Sequence, residues 1–508
     1  MGKRRPLIIT GAFTEGRAFF HRVAQKCALI LRGSGRITSP LASKAALAGW
    51  SQLVWFIGLS VIWSVLILTL PIDPDYTSGE LLDHLESWRA SGVLYPELSA
   101  EAPYRVLNYP PLVLVLARGL AGLGLSGLLA GRLVNLLGGV VLVASVTWWS
   151  RSRGVSGARL AGTVGLMGAS FPVLYGLGGF HLEIWAAAGT VAGFALLDRG
   201  SSRWAVVFGG IALAMACFAK QTQVVPAVVA LAWVASHRRS MAPVAVAAFA
   251  GSGVLGSGLI THVWGLEAWR HMLTYTVGTF SLPNLGFQAV SHVAPWLILF
   301  AFFIRSVRAD KQKSSGDIVL WYWCGALLWS FSAARIGSSY SYFVDLHIAT
   351  VMWVGPRMFD PLSEGRAIVW RWLLALQVVG ANVGVGAVLA TNLSRLRGVQ
   401  EELPPVCALL EGQRDVLAEE AGLVRACGHA SLIHPFIMSS LASRGLWDLS
   451  PLEAELRAGA YPLALLPFDP REPIATVHAE RWHPALLAAF AAAPSVEAVG
   501  PGRWLVRW

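Results

Sequence analysis

Acidic side chains cluster directly after the first long apolar segment of the chain. Asp73, Asp75 and Glu80 follow that segment closely. A carboxylate within hydrogen-bond reach of a hydroxyl can act as a general base, so these residues are candidates for catalysis or substrate binding. Each also has a structural explanation. Thr77-x-x-Glu80 has the spacing of a capping box, and Asp73 and Asp75 flank Pro74 as turn residues do.

Further polar side chains lie at the ends of later apolar segments. His181 and Glu183 precede one such segment, Lys220 ends another within the sequence AKQTQ, and Arg335 follows a third. Ionisable groups at or near membrane depth are functional candidates, because they are costly to place there. A lysine and an arginine that face carboxylates at headgroup level suit a lipid substrate carrying phosphate. The alternatives are stabilisation of Glu183 by a helix N-terminus and snorkelling of Lys220.

Transmembrane helices must position these residues. Of the 508 residues, 55% are hydrophobic and only 14% are charged, whereas soluble domains are about 25% charged. Segments such as 53–70 and 372–390 contain no charge and have the length of a helix that crosses about 30 Å of hydrocarbon. The sequence therefore predicts an all-α polytopic membrane protein with about eleven transmembrane helices. The predicted spans are 47–70, 127–149, 158–175, 180–197, 204–219, 222–236, 241–263, 287–306, 317–334, 340–356 and 368–391.

The net charge of +11 does not indicate nucleic acid as a partner, because the basic residues lie in short loops between apolar segments. With the N-terminus in the cytoplasm, every basic loop falls on the cytoplasmic side, as the positive-inside rule requires. These loop residues are Arg151, Arg153, Arg199, Arg203, Arg238, Arg239, Arg305, Arg308, Lys311, Lys313, Arg357 and Arg366. Counting 111–124 as a further span would invert all later loops, so we predict that it lies at the interface or inserts only partly.

The sequence divides into three regions. We predict a basic cytoplasmic tail at 1–46, a transmembrane domain at 47–392 with a catalytic first outside loop at 71–110, and a small extracytoplasmic α/β domain at 393–508. The tail shows no cleavable signal peptide. Within the loop, residues 78–90 are predicted to form an amphipathic helix. Its apolar face comprises Leu81, Leu82, Leu85 and Trp88.

Short patterns predict the secondary structure of the last region. Leu463–Leu466 is predicted to be a buried strand that follows a helix at 448–458. Ala475–Val477 and Arg503–Trp508 are predicted to be further strands. Together these elements favour a small α/β domain.

The cysteine pattern does not decide whether a disulfide forms, and the cysteine and acidic patterns argue against a cofactor. Cys407 and Cys427 lie in the predicted outside domain, where a disulfide is permitted; two unpaired thiols fit equally well. No Cys/His spacing resembles a zinc site. Asp73-Pro74-Asp75 has the spacing of a DxD motif, but proline would constrain it. We therefore predict no cofactor, and a divalent metal is not favoured.

Several short motifs occur in order along the chain. In DPDYTSGELLDHLESWRASGVLYPEL and the following APYRVLNYPPL, Glu80 precedes Gly92, Tyr95 and Tyr109-Pro110-Pro111-Leu112. Later motifs are His181-Leu182-Glu183, Ala219-Lys220-Gln221-Thr222, Arg335-Ile336-Gly337-Ser338, Tyr342-Phe343-Val344-Asp345, His434-Pro435-Phe436 and Gly445-Leu446-Trp447-Asp448. Over roughly residues 50–470 this series resembles the bacterial GT-C-type polytopic glycosyltransferases, which include protein O-mannosyltransferases and the aminoarabinose transferase of lipid A.

The resemblance implies a membrane glycosyltransferase that moves a sugar from a polyprenyl-phosphate-linked donor to an acceptor hydroxyl on the extracytoplasmic face, with inversion. Glu80 would be the general base, with Asp75 second, and Glu183 would orient the acceptor or the sugar hydroxyls. Lys220 and Arg335 would stabilise the leaving phosphate. The other predicted substrate-binding residues are His181, Asp73 and Tyr109, of which Tyr109 also suits headgroup anchoring.

Several positions depart from the pattern of that superfamily. Gly79-Glu80 stands where relatives have Asp-Glu, and His181 and Glu183 stand where many have Arg and Asp. Arg335 replaces a lysine, and Ser341 stands where asparagine is usual. Arginine is not a neutral replacement for lysine at a phosphate, so the departures bear on the donor sugar and on activity.

Two other functions are compatible with the sequence. A secondary transporter would contain inverted repeats with a site at the membrane midplane, whereas the halves show no pseudo-symmetry and the charged cluster lies at the surface. A catalytically inactive scaffold of the same fold in envelope glycan assembly would keep the helices and lose the chemistry. We favour a multi-pass enzyme of the cell inner (plasma) membrane. Its partners would be the bilayer, a polyprenyl-phosphate sugar donor and a glycan, lipid or protein acceptor.

Overall fold

The computed structural model describes residues 40–508 apart from 74, 201, 277, 310–315, 360–366, 414–415, 462 and 501. Most of the predicted cytoplasmic tail therefore lies outside the described residues. The same holds for three basic residues of the predicted cytoplasmic loops, which are Lys311, Lys313 and Arg366.

Helices form most of the described chain before residue 411. They are α1 (Pro40–Thr69), α2 (Tyr76–Ser91), α3 (Leu112–Gly122), α4 (Gly127–Ser152), α5 (Gly157–Gly165), α6 (Phe171–Gly176), α7 (Glu183–Arg199), α8 (Arg203–Ala219), α9 (Val224–His237), α10 (Ala242–Trp264), α11 (Glu267–Trp269), α12 (Leu282–His292), α13 (Leu297–Ala309), α14 (Ile318–Ser330), α15 (Val344–Met358) and α16 (Ala367–Leu410). Short 3-10 or π-helical turns lie between several of them, at Leu166–Ala169, Gln221–Gln223, Arg239–Met241, Arg270–Thr274, Ala294–Trp296, Phe331–Ala334 and Tyr340–Phe343.

Each predicted span contains helix, which confirms the helical fold class. Within the described residues, 5 helices are long and apolar enough to cross a membrane. These are Lys44–Thr69, Gly127–Ser152, Arg239–Trp264, Leu282–Ala309 and Trp372–Leu410. The other predicted spans are shorter or interrupted by turns, so the number of spans stays a prediction. Helix α3 has 11 residues and measures only about 17 Å, which fits the prediction that it does not cross the bilayer.

The loops predicted to be cytoplasmic meet at one end of the helical bundle. Arg153 places Nη2 2.8 Å from Oδ2 of Asp198 and Nη1 2.6 Å from Oδ2 of Asp317. Trp233 donates from Nε1 to the Gly316 carbonyl oxygen at 2.9 Å nearby. Arg153, Asp198 and Gly316 lie in three of the predicted cytoplasmic connections, so the alternation of loops between two ends agrees with the sequence. Which end faces the cytoplasm stays a prediction.

The chain after α16 forms a small mixed α/β unit. Its helices are α17 (Ala421–Ala426), α18 (Pro435–Ser443), α19 (Ser450–Arg457), α20 (Thr476–Ala479) and α21 (Pro484–Ala491). Its strands are β1 (Leu417–Ala418), β2 (Leu463–Leu466), β3 (Ser495–Gly500) and β4 (Arg503–Arg507). The sheet order is β1-β2-β4-β3, with β1 parallel to β2 and the other pairs antiparallel. Since α16 runs on past residue 393, the proposed domain boundary there stays a prediction.

The strand predictions are partly right. Leu463–Leu466 is a buried strand after a helix, and the terminal segment contains β4, as predicted. The prediction of a strand at Ala475–Val477 is wrong, because Glu480 and Ala479 donate backbone hydrogen bonds to Thr476 and Ala475 and close a helical turn. A run of three apolar residues is too short for its periodicity to separate strand from helix.

The C-terminal unit docks directly on the predicted amphipathic helix, which is α2. All four residues of its predicted apolar face are buried. On the side toward the C-terminal unit, a Cβ placed at Gly79 would lie 2.7 Å from the Gly422 nitrogen. The absence of a side chain at Gly79 therefore permits close packing, and an aspartate would not fit here.

Two further links hold the same junction. The backbone nitrogen of Tyr104, in the first outside loop, donates to the Leu432 oxygen at 2.8 Å, and His434 donates back to the Tyr104 oxygen at 3.0 Å. Cys407 and Cys427 form a disulfide between α16 and α17, which resolves the alternative that the sequence left open. The first outside loop and the C-terminal unit are thus one packed structure.

Filling the Gly79 contact is expected to destabilise the protein. Gly79→Ala places a methyl group against the Gly422 backbone, and overpacking of this kind costs about 1–3 kcal/mol. Gly119→Ala is the matched control, because Gly119 is helical and a Cβ there meets nothing within 4 Å. The thermal unfolding midpoint in detergent should fall for Gly79→Ala and stay or rise for Gly119→Ala. Equal midpoints for both variants would refute the tight packing.

Candidate active site

A single cavity of about 1180 Å³ lies between the helical bundle, the first outside loop and the C-terminal unit. All eight residues that the sequence predicts for catalysis or substrate binding line it. They are Asp73, Asp75, Glu80, Tyr109, His181, Glu183, Lys220 and Arg335. Segments far apart in the chain therefore bring these carboxylates and cations to the same space.

Asp75, not Thr77, begins helix α2. One oxygen of Asp75 accepts a hydrogen bond from the Ser78 nitrogen at 2.7 Å, which is the contact expected of an N-cap residue. Its other oxygen lies 3.2 Å from Nε2 of His181. The capping-box explanation for Glu80 is therefore wrong, because the helix starts earlier and leaves Glu80 within its first turns.

Glu80 presents a carboxylate oxygen with no hydrogen-bond partner among the described residues. Its Oε1 is buried and lies 4.0 Å from Nδ1 of His434. Burial raises the pKa of Glu80, against the opposing effects of His434 and the Tyr76 hydroxyl. A buried carboxyl with a raised pKa holds a transferred proton better than an exposed one, which suits a general base.

Glu183 and Lys220 form a buried pair. Nζ of Lys220 lies 2.6 Å from Oε1 of Glu183 and 3.1 Å from Oγ of Ser341. The second Glu183 oxygen accepts from the Leu182 nitrogen at 3.1 Å, at the start of α7. The helix N-terminus thus contributes to holding Glu183, as the alternative explanation proposed. Snorkelling does not describe Lys220, because its side chain is only 7% exposed.

Arg335 differs from Lys220 in having no carboxylate within salt-bridge distance among the described residues. Its backbone oxygen accepts from Nδ2 of Asn284 at 2.7 Å, and its backbone pairs with Phe280. These contacts fix the main chain and leave the guanidinium available to the cavity. An unpaired guanidinium suits an anion that arrives with the substrate.

Asp73 is anchored by a residue that the sequence analysis did not single out. Nε of Arg132 lies 2.7 Å from Oδ1 of Asp73, and both side chains are at most 3% exposed. The same guanidinium donates to the carbonyl oxygens of Leu70 and Ile72. These contacts fix the chain where it leaves α1. One oxygen of Asp73 therefore has a structural role, although the residue also lines the cavity.

Sequence reasoning missed several cavity residues from the C-terminal half. Arg395, Glu480 and Arg481 line the cavity, and Arg481 lies 4.3 Å above the Tyr76 ring. No local motif marks them: Glu480 and Arg481 reach the cavity through the docking of the C-terminal unit, and Arg395 reaches it from α16. The aromatic residues Trp88, Tyr95 and Tyr104 are buried in protein packing and do not line the cavity.

The described residues contain no group of three or more His, Cys, Asp or Glu side chains arranged to hold a metal ion. Three acidic side chains of the cavity, Asp73, Glu183 and Asp75, are paired with Arg132, Lys220 and His181 respectively. The sequence-based prediction that no cofactor is needed stays a prediction.

The architecture is that of a GT-C-type membrane glycosyltransferase fold. The structure of ArnT from Cupriavidus metallidurans bound to undecaprenyl phosphate is similar, with a TM-score of 0.61 at 16% sequence identity over 89% of this chain and 97% of that chain. Its apo form gives a TM-score of 0.61 at 14% identity over 91% of this chain and 98% of that chain.

A more distant likeness links this chain to the archaeal oligosaccharyltransferase AglB from Archaeoglobus fulgidus, in complex with an inhibitory peptide and a dolichol-phosphate. The TM-score is 0.50 at 11% identity, over 82% of this chain and 70% of that chain. No family model and no curated protein matches the sequence. At these identities the structural likeness establishes the fold, which agrees with the resemblance seen in the sequence motifs.

Removing the Asp73 carboxylate is expected to destabilise the fold. Asp73→Ala leaves Arg132 buried without its partner, which costs about 3–5 kcal/mol. The control Glu453→Ala breaks an exposed pair with Arg457 and should cost about 0–1 kcal/mol. Thermal unfolding in detergent measures both. An unchanged unfolding midpoint for Asp73→Ala would show that the ion pair with Arg132 does not stabilise the fold.

Proposed function

We propose that this chain is a glycosyltransferase that moves a sugar from a polyprenyl-phosphate-linked donor to an acceptor hydroxyl. The observation that carries the proposal is the shared cavity, in which the unpaired oxygen of Glu80 and the cations Lys220 and Arg335 line the same space. The GT-C-type fold supports it, and one protein of that fold binds undecaprenyl phosphate.

The two cations are suited to different tasks. Lys220 is held by Glu183 and Ser341, so its charge is already partly compensated and its position is fixed. Arg335 lacks a described carboxylate partner and can form two hydrogen bonds to one phosphate group. We assign Arg335 as the main phosphate ligand and Lys220 as a second donor that stabilises charge on the leaving phosphate.

Glu80 is the preferred general base and Asp75 the second candidate. One oxygen of Asp75 caps α2, and the other, which makes no hydrogen bond to the described residues, lies 3.2 Å from Nε2 of His181. Oε1 of Glu80 also makes no hydrogen bond to the described residues, and its nearest histidine nitrogen, Nδ1 of His434, is farther away at 4.0 Å. As the acceptor oxygen bonds to the anomeric carbon, its proton passes to Glu80. The bond from that carbon to the phosphate oxygen breaks, and the electron pair stays on the phosphate. Attack opposite the leaving phosphate inverts the anomeric centre.

The proposed site lies at the end of the bundle opposite to Arg153 and its basic loops. By the positive-inside rule, that end is extracytoplasmic, the N-terminus is cytoplasmic, and the protein resides in the cell inner (plasma) membrane. The donor headgroup would then enter from the outer leaflet. A glycan, lipid or protein hydroxyl would enter from the side of the C-terminal unit, where the wall is polar and includes Thr476, Glu480 and Arg481.

Replacing the proposed base tests the chemistry. Glu80→Gln keeps the shape and removes the base, so kcat should fall by about 10²–10⁴-fold with little change in KM for the donor. Glu86→Gln is the matched control, because Glu86 lies on the same helix and bonds to Gly127 and Arg89 outside the cavity. Sugar transfer from a radiolabelled polyprenyl-phosphate donor in proteoliposomes measures both variants.

The outcome separates the three functions. Transfer by wild type that Glu80→Gln abolishes supports the enzyme with this base. Full activity of Glu80→Gln rejects Glu80, and loss on Asp75→Asn would transfer the role to Asp75. No transfer by wild type with any polyprenyl-phosphate sugar indicates a scaffold, and uptake of a soluble solute by the same vesicles indicates a transporter.

Removing the unpaired guanidinium tests the phosphate contact. Charge-assisted hydrogen bonds contribute about 1.5–3 kcal/mol, so Arg335→Gln should weaken binding of undecaprenyl phosphate by about 10–100-fold. Native mass spectrometry of the detergent-solubilised protein measures the binding. Arg444→Gln is the control, because Arg444 is a cation of the C-terminal unit that does not line the cavity. Equal affinities for the two variants would exclude Arg335 as the phosphate ligand.

A further inference from the structure

Two buried polar atoms face each other at the wall of the cavity without a hydrogen-bond partner in the described structure. They are Oε1 of Glu80 and Nδ1 of His434, 4.0 Å apart. Unpaired buried polar atoms are rare, because each one forfeits its hydrogen bonds to water. The proposed mechanism uses Glu80 and gives His434 no role, so the pairing calls for an explanation.

The other ring nitrogen of His434, Nε2, has a hydrogen-bond partner. Nε2 lies 3.0 Å from Oδ2 of Asp83, and the Asp83 side chain is completely buried. Asp83 also accepts hydrogen bonds from Arg105, Arg425 and the Ser431 nitrogen. His434, Arg105 and Arg425 hold the pKa of Asp83 well below its usual range despite burial. Asp83 is therefore ionised, and His434 donates its Nε2 proton to it.

That tautomer determines what faces Glu80. If His434 were neutral, the Nδ1 lone pair would point at an ionised carboxylate oxygen, and two buried acceptors would face each other without a proton. One proton between them removes the conflict. Carboxylates lie on both sides of the ring, so both stabilise a positive charge on the imidazole.

Other charged or titratable groups surround the pair. His84 packs edge-on against the His434 ring at 4.5 Å, and burial lowers its pKa far below the usual value, so it is neutral. Arg105 and Arg425 oppose a charge on His434 but already pair with Asp83. On the other side, Glu80 also faces Tyr76 and Arg481.

We propose that His434 is a positioning residue that takes the proton which Glu80 would otherwise hold, so that Glu80 remains an ionised base. Asp83 orients the ring and stabilises the imidazolium. This inference rests on the proposed function of Glu80 as base. The C-terminal unit, which supplies His434, therefore controls the protonation of Glu80, which belongs to the first outside loop.

The pH profile of the full-length protein tests this role. His434→Gln retains an amide that can donate to Asp83 but cannot accept the proton, so the pKa of Glu80 should rise further. Because Glu80 must be ionised to act, the acid limb of kcat should move to higher pH by about one unit or more. Activity should approach that of wild type at alkaline pH, with an unchanged donor KM. The control His429→Gln changes a histidine that does not line the cavity.

A second measurement needs neither a variant nor activity. Dicyclohexylcarbodiimide modifies protonated buried carboxyl groups, and mass spectrometry can follow its reaction with Glu80 in the wild-type protein. Labelling confined to acidic pH is expected, since His434 holds the proton near neutral pH. Labelling of Glu80 at neutral pH would overturn the proposal, as would a His434→Gln profile that coincides with that of wild type.

The failures of the two proposals are distinguishable. If Glu80→Gln keeps full transfer activity, the proposed base is wrong, and carbodiimide labelling still reports whether His434 controls the protonation of Glu80. If Glu80→Gln is inactive but the acid limb of His434→Gln is not shifted, Glu80 remains the proposed base and the proposed role of His434 is rejected.

Discussion

Asp83 is a fully buried carboxylate on which the geometry of the site depends. It accepts hydrogen bonds from Arg105, Arg425, the Ser431 nitrogen and His434. These donors come from the first outside loop, helix α17 and the segment before α18. A buried charge is tolerated only when such partners satisfy it, so the loop helix and the C-terminal unit have to dock in one relative position. That position also determines where α2 places the carboxylate of Glu80 in the cavity.

The cavity separates charges that hold the fold from charges that remain available to a substrate. Asp73 is clamped by Arg132, and Glu183 is paired with Lys220. Buried pairs of this kind fix the backbone where the chain passes from the helical bundle to its loops. The groups that lack such a partner among the described residues are Oε1 of Glu80 and the guanidinium of Arg335, which follows α14. This division places reactive groups on supports that cannot easily shift.

The departures from the superfamily pattern have local physical causes. Gly79 replaces an acidic residue because Gly422 packs against its Cα. Glu183 and Ser341, which also differ from the usual residues, both contact the Lys220 ammonium group. His181 lies beside Asp75. Each of these residues makes a polar contact or a packing contact in or beside the cavity.

The sequence alone determined the helical membrane class, the alternation of loops and the buried face of α2, because hydropathy, charge and periodicity are properties of neighbouring residues. It also located the eight candidate residues that line the cavity. Only the tertiary structure decided which of these residues have partners within the protein. The bond from Arg425 to Asp83 joins residues 342 positions apart, and no local pattern encodes such a contact. The roles of Arg132 and His434 were hidden for the same reason: packing between distant segments creates their partners.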